Sequence, residues 1–539
     1  MKLILLQRTF LKFIILLLII IFASPHAIAT SIDSTSFITT WKTDNPGGSG
    51  DNQITIPTTN VGYNYDVDWN NDGIFDTTGL VSSITHTFPS IGTHTIRIKG
   101  NFPTLNFDAS NSDSQKLISV DQWGTIPWTS MYKAFYNCIN LNINATDAPN
   151  LSLVTNMNRM FLNCSSMNQD FNNWDVSNVT DMQFMFMNCY SFNGNISSWN
   201  VSNVNNMSKM FYNCSSFNEN ISTWDISNVT QIESMFEGCS SFNQDISSWD
   251  ISNISNMLRL FQGCTNFNQN IGSWDMSNAN KIQNMFTNCT NFNQDLSNWD
   301  VSNITSLFYT FGECTSFNQD ISNWNVSNVT DMGYMFINCP NFNQDISNWD
   351  VSKVTRMDNM FKGCSNFNQN LGNWIVSQTW DMQHMFSETN LSTENYDSLL
   401  IGWSNLNLKH YVNFDVGNNK YCLPAAVTAR NILDIDFHWT ITDGGQTNDC
   451  LVSIDENYQG TLEMCPNPTN SHVNLVLRNS THSTLTITDA TGRLLESIHL
   501  AEGLKEFQLD VSKYTNGLYL IQVFQKEKNI QSNRLVIQN

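Results

Sequence analysis

The 539-residue chain carries 25 Lys+Arg against 47 Asp+Glu, a net charge of −22, and is 41% hydrophobic. That apolar fraction supplies packed cores and excludes wholesale disorder. The acidic balance excludes nucleic acid and an anionic membrane surface as partners, because phosphates need basic contacts.

Lys2, Arg8 and Lys12 precede the apolar run FIILLLIIIFA, Phe13 to Ala23, and Ala27 and Ala29 form an A-x-A cleavage pattern. Residues 1–29 therefore read as a Sec signal peptide. No later stretch approaches the ~18 apolar residues of a spanning helix, so the mature form is expected to have no membrane span.

Within residues 30–120 the short alternating segments NQITIPT, NYDVDW, ITHTF and THTIRIKG are separated by Gly and Asn-Asp turns. They predict a small β-sandwich. The turn DWNNDGIFD has the layout of a calcium loop, with Asp68, Asn70, Asp72, Gly73, Ile74 and Asp76 at positions 1, 3, 5, 6, 7 and 9. Oxygens on alternate residues can converge on one cation there because Gly permits the sharp turn. Position 12 is Gly79, so the bidentate Glu is missing. A plain Asn-Asp-Gly hairpin turn is the competing reading. Calcium is the one cofactor the sequence raises.

Residues 121–390 repeat. The sentence NVTDMGYMFINCPNFNQDISNWDVS, Asn328 to Ser352, recurs at a step of 25. Cysteines keep that step from Cys164 to Cys364, tryptophans from Trp174 to Trp374, and phenylalanines from Phe161 to Phe386. A copy one residue out of phase stands at Lys133 to Leu141, and the last copy has Thr389 in the cysteine slot. Regular interior copies between degraded ones describe stacked coils with capping ends. Met332, Met335, Phe336 and Cys339 fall at i, i+3, i+4, i+7, which predicts a two-turn helical face, with Asn328 and Asp331 as its capping box. Phe342, Ile346, Trp349 and Val351 then suit an extended segment bending at a corner. The predicted fold class is a mainly β repeat solenoid, leucine-rich-repeat-like, with one strand and one short helix or turn per coil, flanked by β-sandwich domains.

The cysteine column reads as buried small thiols. A metal site would need C-x-x-C or converging His, and no His stands between Phe161 and Met382. Two polar columns, one from Asp170 to Asn370 and one from Asp175 to Asp350, read as structural ladders, with a cation or ligand stripe as the alternative. The tryptophans read as core, with a sugar-binding track as the alternative. The nine His are scattered, and no G-x-S-x-G, H-E-x-x-H or phosphate loop occurs.

Residues 391–450 read as a cap on the stack, with LSTENYDSLLIGWSNL amphipathic, LPAAVTARNILDI helical and HWTITDGG a closing strand. Cys422 and Cys450 bracket the later part of it and could pair, as exported chains allow. Residues 451–463 read as a linker. From 464 to 539 alternating segments with turns at Gly492 and Gly517 predict a second compact β-sandwich.

The words MFINC, FNQDISNWDVS and VTDM resemble the repeats of BspA-like leucine-rich repeat surface proteins. Leu260 and Thr310 depart from the Met before Phe, and Ile375 from the acid after Trp. The stretch FITTWKTDN…GYNYDVDWNNDGIFD…GTHTIRIKG is similar to the PKD-like module that precedes such repeats. PNPTN, DATGR, NGLYLIQV and the ending RLVIQN resemble the sorting domain of type IX secretion substrates, with Cys465 where that family more often has an aromatic residue. These resemblances imply export by Sec and then across the outer membrane by the type IX machinery. The chain would be released or tethered at the outer membrane exterior. They imply a non-catalytic binding or adhesion module for an extracellular protein or glycan. A structural surface or matrix component without a specific ligand is the alternative, and a secreted glycan-active enzyme a further one.

Overall fold

The computed structural model describes residues 33–59, 61–108, 112–447, 462–465, 469, 471–477, 483–489, 493–501, 504, 506–525 and 528–538. The expected signal peptide, Cys450 and nearly all of the expected linker lie outside them. The chain divides into two compact units, Met1–Leu391 with Leu406–Asn418 and His438–Asp443, and Ser392–Asn405 with Asn419–Phe437 and Gly444–Asn539. The described residues are mostly β-strand and turn, with few helices and no closed barrel.

The first unit opens with strands β1 (Phe37–Lys42), β2 (Gln53–Ile56), β3 (Asn64–Asp68), β4 (Thr77–Leu80), β5 (Ile84–Thr87), β6 (Thr93–Asn101), β7 (Leu117–Gln122) and β8 (Asn142–Ile143). One sheet runs β4-β3-β6-β1-β7-β8, and β2 pairs with β5 in a second. Alternation sets the faces, since Tyr65 and Val67 of β3 and Ile96 and Ile98 of β6 are buried while Asn64 is exposed. The other strand contacts of this sheet are antiparallel, but β7 and β8 run parallel, Ser119 opposite Asn142 and Val120 opposite Ile143. The sheet thereby passes its last edge to the first coil of the repeats.

Coil then joins coil through parallel rungs of alternate amides. Arg159 N donates to Gln183 O (3.0 Å), Phe161 N to Met185 O (2.9 Å) and Asn163 N to Met187 O (2.8 Å). The same rung recurs as far as Phe361 N to Met385 O (2.9 Å). The amides between them close turns inside the coil, such as Met160 N to Met157 O (3.0 Å) and Cys164 N to Phe161 O (2.9 Å). The short helix expected over Met332–Cys339 is therefore a run of turns. A turn brings residues three apart together as a helix does, so the apolar spacing is the same. Tyr334 (φ 59°) and Asn338 (φ 54°) lie in the left-handed region, which a helix would not contain. The expected capping box is absent too: Asp331 Oδ1 accepts from Gly333 N (3.0 Å), and Asn328 Nδ2 donates to Ser302 O of the preceding coil (2.9 Å).

Like packs on like inside. Phe135, Phe161 and the phenylalanines at each later step to Phe386 stack with ring centroids 5.4–5.9 Å apart. A second column from Phe192 to Phe367 is spaced 5.9–6.2 Å. These rings and the methionines beside them are fully buried, each contributing about 1.5–3 kcal/mol of hydrophobic stabilisation. The out-of-phase copy keeps the rung, Lys133 N to Asn158 O (3.1 Å). Beyond the last copy, Phe386 N donates to Asp415 O (3.1 Å) of β9 (Asn413–Asp415), which pairs in parallel with β10 (Thr440–Thr442), the closing strand expected near HWTITDGG.

In the second unit, α1 (Thr393–Ser404) starts on Ser392, whose side chain accepts from Asn395 N. The helix α2 (Pro424–Asn431) has Pro at its first turn. Strands β11 (Leu462–Cys465), β12 (His472–Leu477), β13 (Ser483–Asp489), β14 (Leu494–Leu500), β15 (Glu506–Asp510), β16 (Gly517–Gln525) and β17 (Lys528–Ile537) form the sheets β11-β12-β15 and β14-β13-β16-β17. Val473, Leu475, Leu485, Ile521, Val523 and Leu535 meet in one core.

Candidate functional site

Most repeated polar groups are already used between coils. Each thiol from Cys164 to Cys364 is buried and unoxidised and donates to the carbonyl of a phenylalanine in a preceding coil, Cys264 Sγ to Phe236 O at 2.9 Å for example. Burial pushes these thiols far above their usual pKa, Cys364 up to about 12. Each tryptophan from Trp199 to Trp374 sends its Nε1–H to a carbonyl of the coil before, as Trp274 to Ile246 O (3.1 Å). These rings are 1–4% exposed, so they are core and offer no sugar track.

Asn243 Oδ1 accepts from Asn268 N (2.9 Å) and from Gln269 Nε2 (2.9 Å) of the next coil, which accounts for the repeated word FNQ. The Asp columns close Asx turns on their own coil, as Asp225 does on Ser227 N (3.1 Å) and Oγ (2.7 Å). Those donors hold Asp225, Asp250, Asp300 and Asp350 below the usual carboxylate range. Both columns thus have a structural role, but as turns within each coil and not as the side-chain ladders expected between coils.

What remains is the face carried by the rungs. The slot of Tyr334 holds, coil by coil, Arg159, Phe184, Lys209, Ser234, Arg259, Asn284, Tyr309, Tyr334, Asn359 and His384. Every one of them lies at φ between 54° and 59°. From Arg159 to Asn359 their amides are fixed by the rungs, while the side chains differ without pattern. Arg159 stacks on Phe184 at 4.5 Å, with Lys209 5.8 Å from the same ring. Tyr309 and Tyr334 stack at 5.5 Å, and Phe308 lies 5.6 Å from Tyr334 and 5.8 Å from Arg356. Arg356 also pairs with Asp331 (3.5 Å) and Asp358 (3.0 Å). Burial and the neighbouring Asp381 raise the Asp358 carboxyl.

The DWNNDGIFD loop is the hairpin connection between β3 and β4. Asp68 is fully buried and accepts from Gly73 N (2.8 Å), Asn70 N and Asp72 N (both 3.3 Å), with Arg97 Nε at 3.9 Å. Asn70 Nδ2 reaches Asp72 Oδ2 (3.1 Å), Asp72 Oδ1 accepts from Ile74 N (2.8 Å), and Asp76 Oδ2 accepts from Trp69 N (2.9 Å). The loop thus brings the carboxylates of the motif onto backbone amides, and a cation would have to displace those donors.

Two clusters were not foreseen. Lys116, 1% exposed, donates to the Ser49, Gly50 and Gln53 carbonyls at 2.8–3.0 Å and lies 3.8 Å from buried Asp113. Its ammonium pins the loop before β2; the sequence does not mark this role, because the three carbonyls it meets stand more than sixty residues away. At the last coil His384 Nδ1 meets Asp415 Oδ2 (2.6 Å), and Ser387 Oγ lies 3.0 Å from the same oxygen and 3.4 Å from the same nitrogen. A nucleophile relay needs serine and carboxylate on opposite ring nitrogens, so this set is not arranged for acyl transfer. Among the described residues no group of three or more His, Cys, Asp or Glu is placed to hold a metal, and no helix is long and apolar enough to cross a membrane. Cys422 is in a disulfide; its expected partner Cys450 lies outside the described residues.

Residues 129–246, 217–319 and 280–399, together half of the chain, match the family model described as "Mycoplasma protein of unknown function, DUF285". Residues 463–538 match the one described as "Secretion system C-terminal sorting domain". No curated protein and no solved structure matches the chain. The tail is a type IX secretion address, which makes this a secreted or cell-surface protein and the secretion machinery one of its partners.

Proposed function

The chain belongs to the DUF285 repeat family, and from that premise we propose that it is a non-catalytic binding or adhesion protein of the cell exterior. Its repeats would serve as a BspA-like, leucine-rich-repeat-like solenoid behind a PKD-like module, presenting one face to a protein or glycan ligand. The observation that carries this reading is the slot from Arg159 to His384. There the backbone conformation is constant and the side chain is free to vary, and the face gathers Phe184, Phe308, Tyr309 and Tyr334 beside Arg159, Lys209 and Arg356. Half-buried aromatics beside arginine are the composition of binding hot spots. A structural filler would need no such variation.

The test is a binding screen of the full chain against extracellular matrix proteins and glycans, with and without calcium, beside the double variant Phe308→Ala/Tyr334→Ala. The reading expects a ligand whose affinity falls by about 2 kcal/mol in the variant. Retention of full affinity by the variant would move the site off this face, and a screen without any ligand would favour a purely structural component.

A further inference from the structure

Where the N-terminal domain meets the repeats, a groove of about 720 Å³ opens between Asp108, Ser112, Ser114 and Gln115 and the edges of the first coils. That size lies within the roughly 300–1,000 Å³ of small-ligand clefts. We propose that this groove is a binding site for a neutral oligosaccharide. The inference deepens the exterior binding role and rests on it, but uses a different surface.

Two observations carry it. The first is a departure from the repeat. Tyr190 stands where the other coils carry Ser165, Ser215, Ser240, Thr265, Thr290, Thr315, Pro340 and Ser365. Packing therefore does not require an aromatic there. Yet the Tyr190 ring is 48% exposed at the groove wall, together with Tyr136. Two aromatic rings offer faces for the C–H side of a pyranose.

The second is a line of side-chain amides that ends in the groove. Asn213 Nδ2 donates to Asn188 Oδ1 (3.0 Å), Asn188 Nδ2 to Asn163 Oδ1 (2.8 Å) and Asn163 Nδ2 to Asn137 Oδ1 (2.6 Å). The ladder runs head to tail, so Asn137 Nδ2 is its last donor, without an acceptor among the described residues and polarised by the amides behind it.

Ser114, 5% exposed, also lines the groove. Asp108, held by Lys133, supplies the acceptor opposite these donors. A ligand that both donates and accepts, and that has an apolar ring face, fits this wall. The carboxylate disfavours an anion. An extended peptide would need apolar pockets or an open strand edge, and among the described residues Ile139 is the only aliphatic one lining the groove.

The experiment is calorimetric titration of the full chain with cellotriose, maltotriose, mannotriose and the anionic 3′-sialyllactose, on the parent and on Tyr190→Ser, which installs the residue of neighbouring coils and so preserves folding. One of the neutral sugars should bind, and Tyr190→Ser should weaken it about tenfold. Phe308→Ala/Tyr334→Ala should leave it unchanged, which separates this groove from the rung face. Failure of all three neutral sugars to bind, equal binding by Tyr190→Ser, or preference for the sialylated sugar overturns the proposal; none of these results touches the rung-face reading.

Discussion

Ser234 bears two costs at one position: its φ is 54°, and its buried hydroxyl has no partner. Ser234→Gly removes both and should raise stability by about 1 kcal/mol, read as a higher urea midpoint at unchanged slope. The reverse holds for the cysteines. Cys264→Ala loses a buried thiol and its bond to Phe236 O, and should cost about 1–2 kcal/mol. Because the folded thiols titrate far above their usual value, the unfolded chain releases these protons first as pH rises. Their contribution is complete below about pH 8.5 and falls away above it, so denaturant midpoints should decline steadily through alkaline pH. At this scale the sequence showed which residues are inside, since identical Phe, Cys and Trp at a fixed step need each other's burial. It did not show what the Trp and Cys polar atoms do, because their acceptors belong to another coil. Nor did it mark the left-handed slot, where Arg, Phe, Lys and Tyr have no preference for that conformation.

Within a single coil, apolar spacing alone could not separate a helix from consecutive turns, and the helix was the wrong choice. The polar words FNQ, DIS and SN carried the missing information, since each closes an Asx turn or reaches the neighbouring coil. Asn243→Ala removes two acceptor bonds across one coil boundary and should cost about 1–2 kcal/mol in a denaturant melt. The Asx aspartates titrate below their usual range because Ser donors favour the charged form. Their support is present above about pH 4 and is lost as pH falls through their lowered values, so acid should loosen the repeats. In the N-terminal domain, Lys116→Met leaves Asp113 buried without its cation and should destabilise by about 3–5 kcal/mol. Calcium at millimolar concentration should leave the melting temperature unchanged, because amides already fill the Asp68 carboxylate; a rise would show a cation displacing them.

For the molecule as a whole, the legible parts were the repeat, its class of core and the secretion address, each written several times over or in an ordered set of words. The ligand-facing surface was not legible, because it consists of the positions that do not repeat. The whole account depends on coils of equal length meeting in register, so that rung, thiol, indole and amide each find a partner one step away. The decisive measurement is chemical unfolding of two deletions, residues 243–267 and residues 244–267. The first removes one full step of 25 and keeps the register of every column. The second leaves one residue over and sets the two halves of the stack out of step. The account predicts a cooperative transition close to the parent's for the first deletion and a broadened, strongly weakened one for the second; equal transitions for both would contradict it.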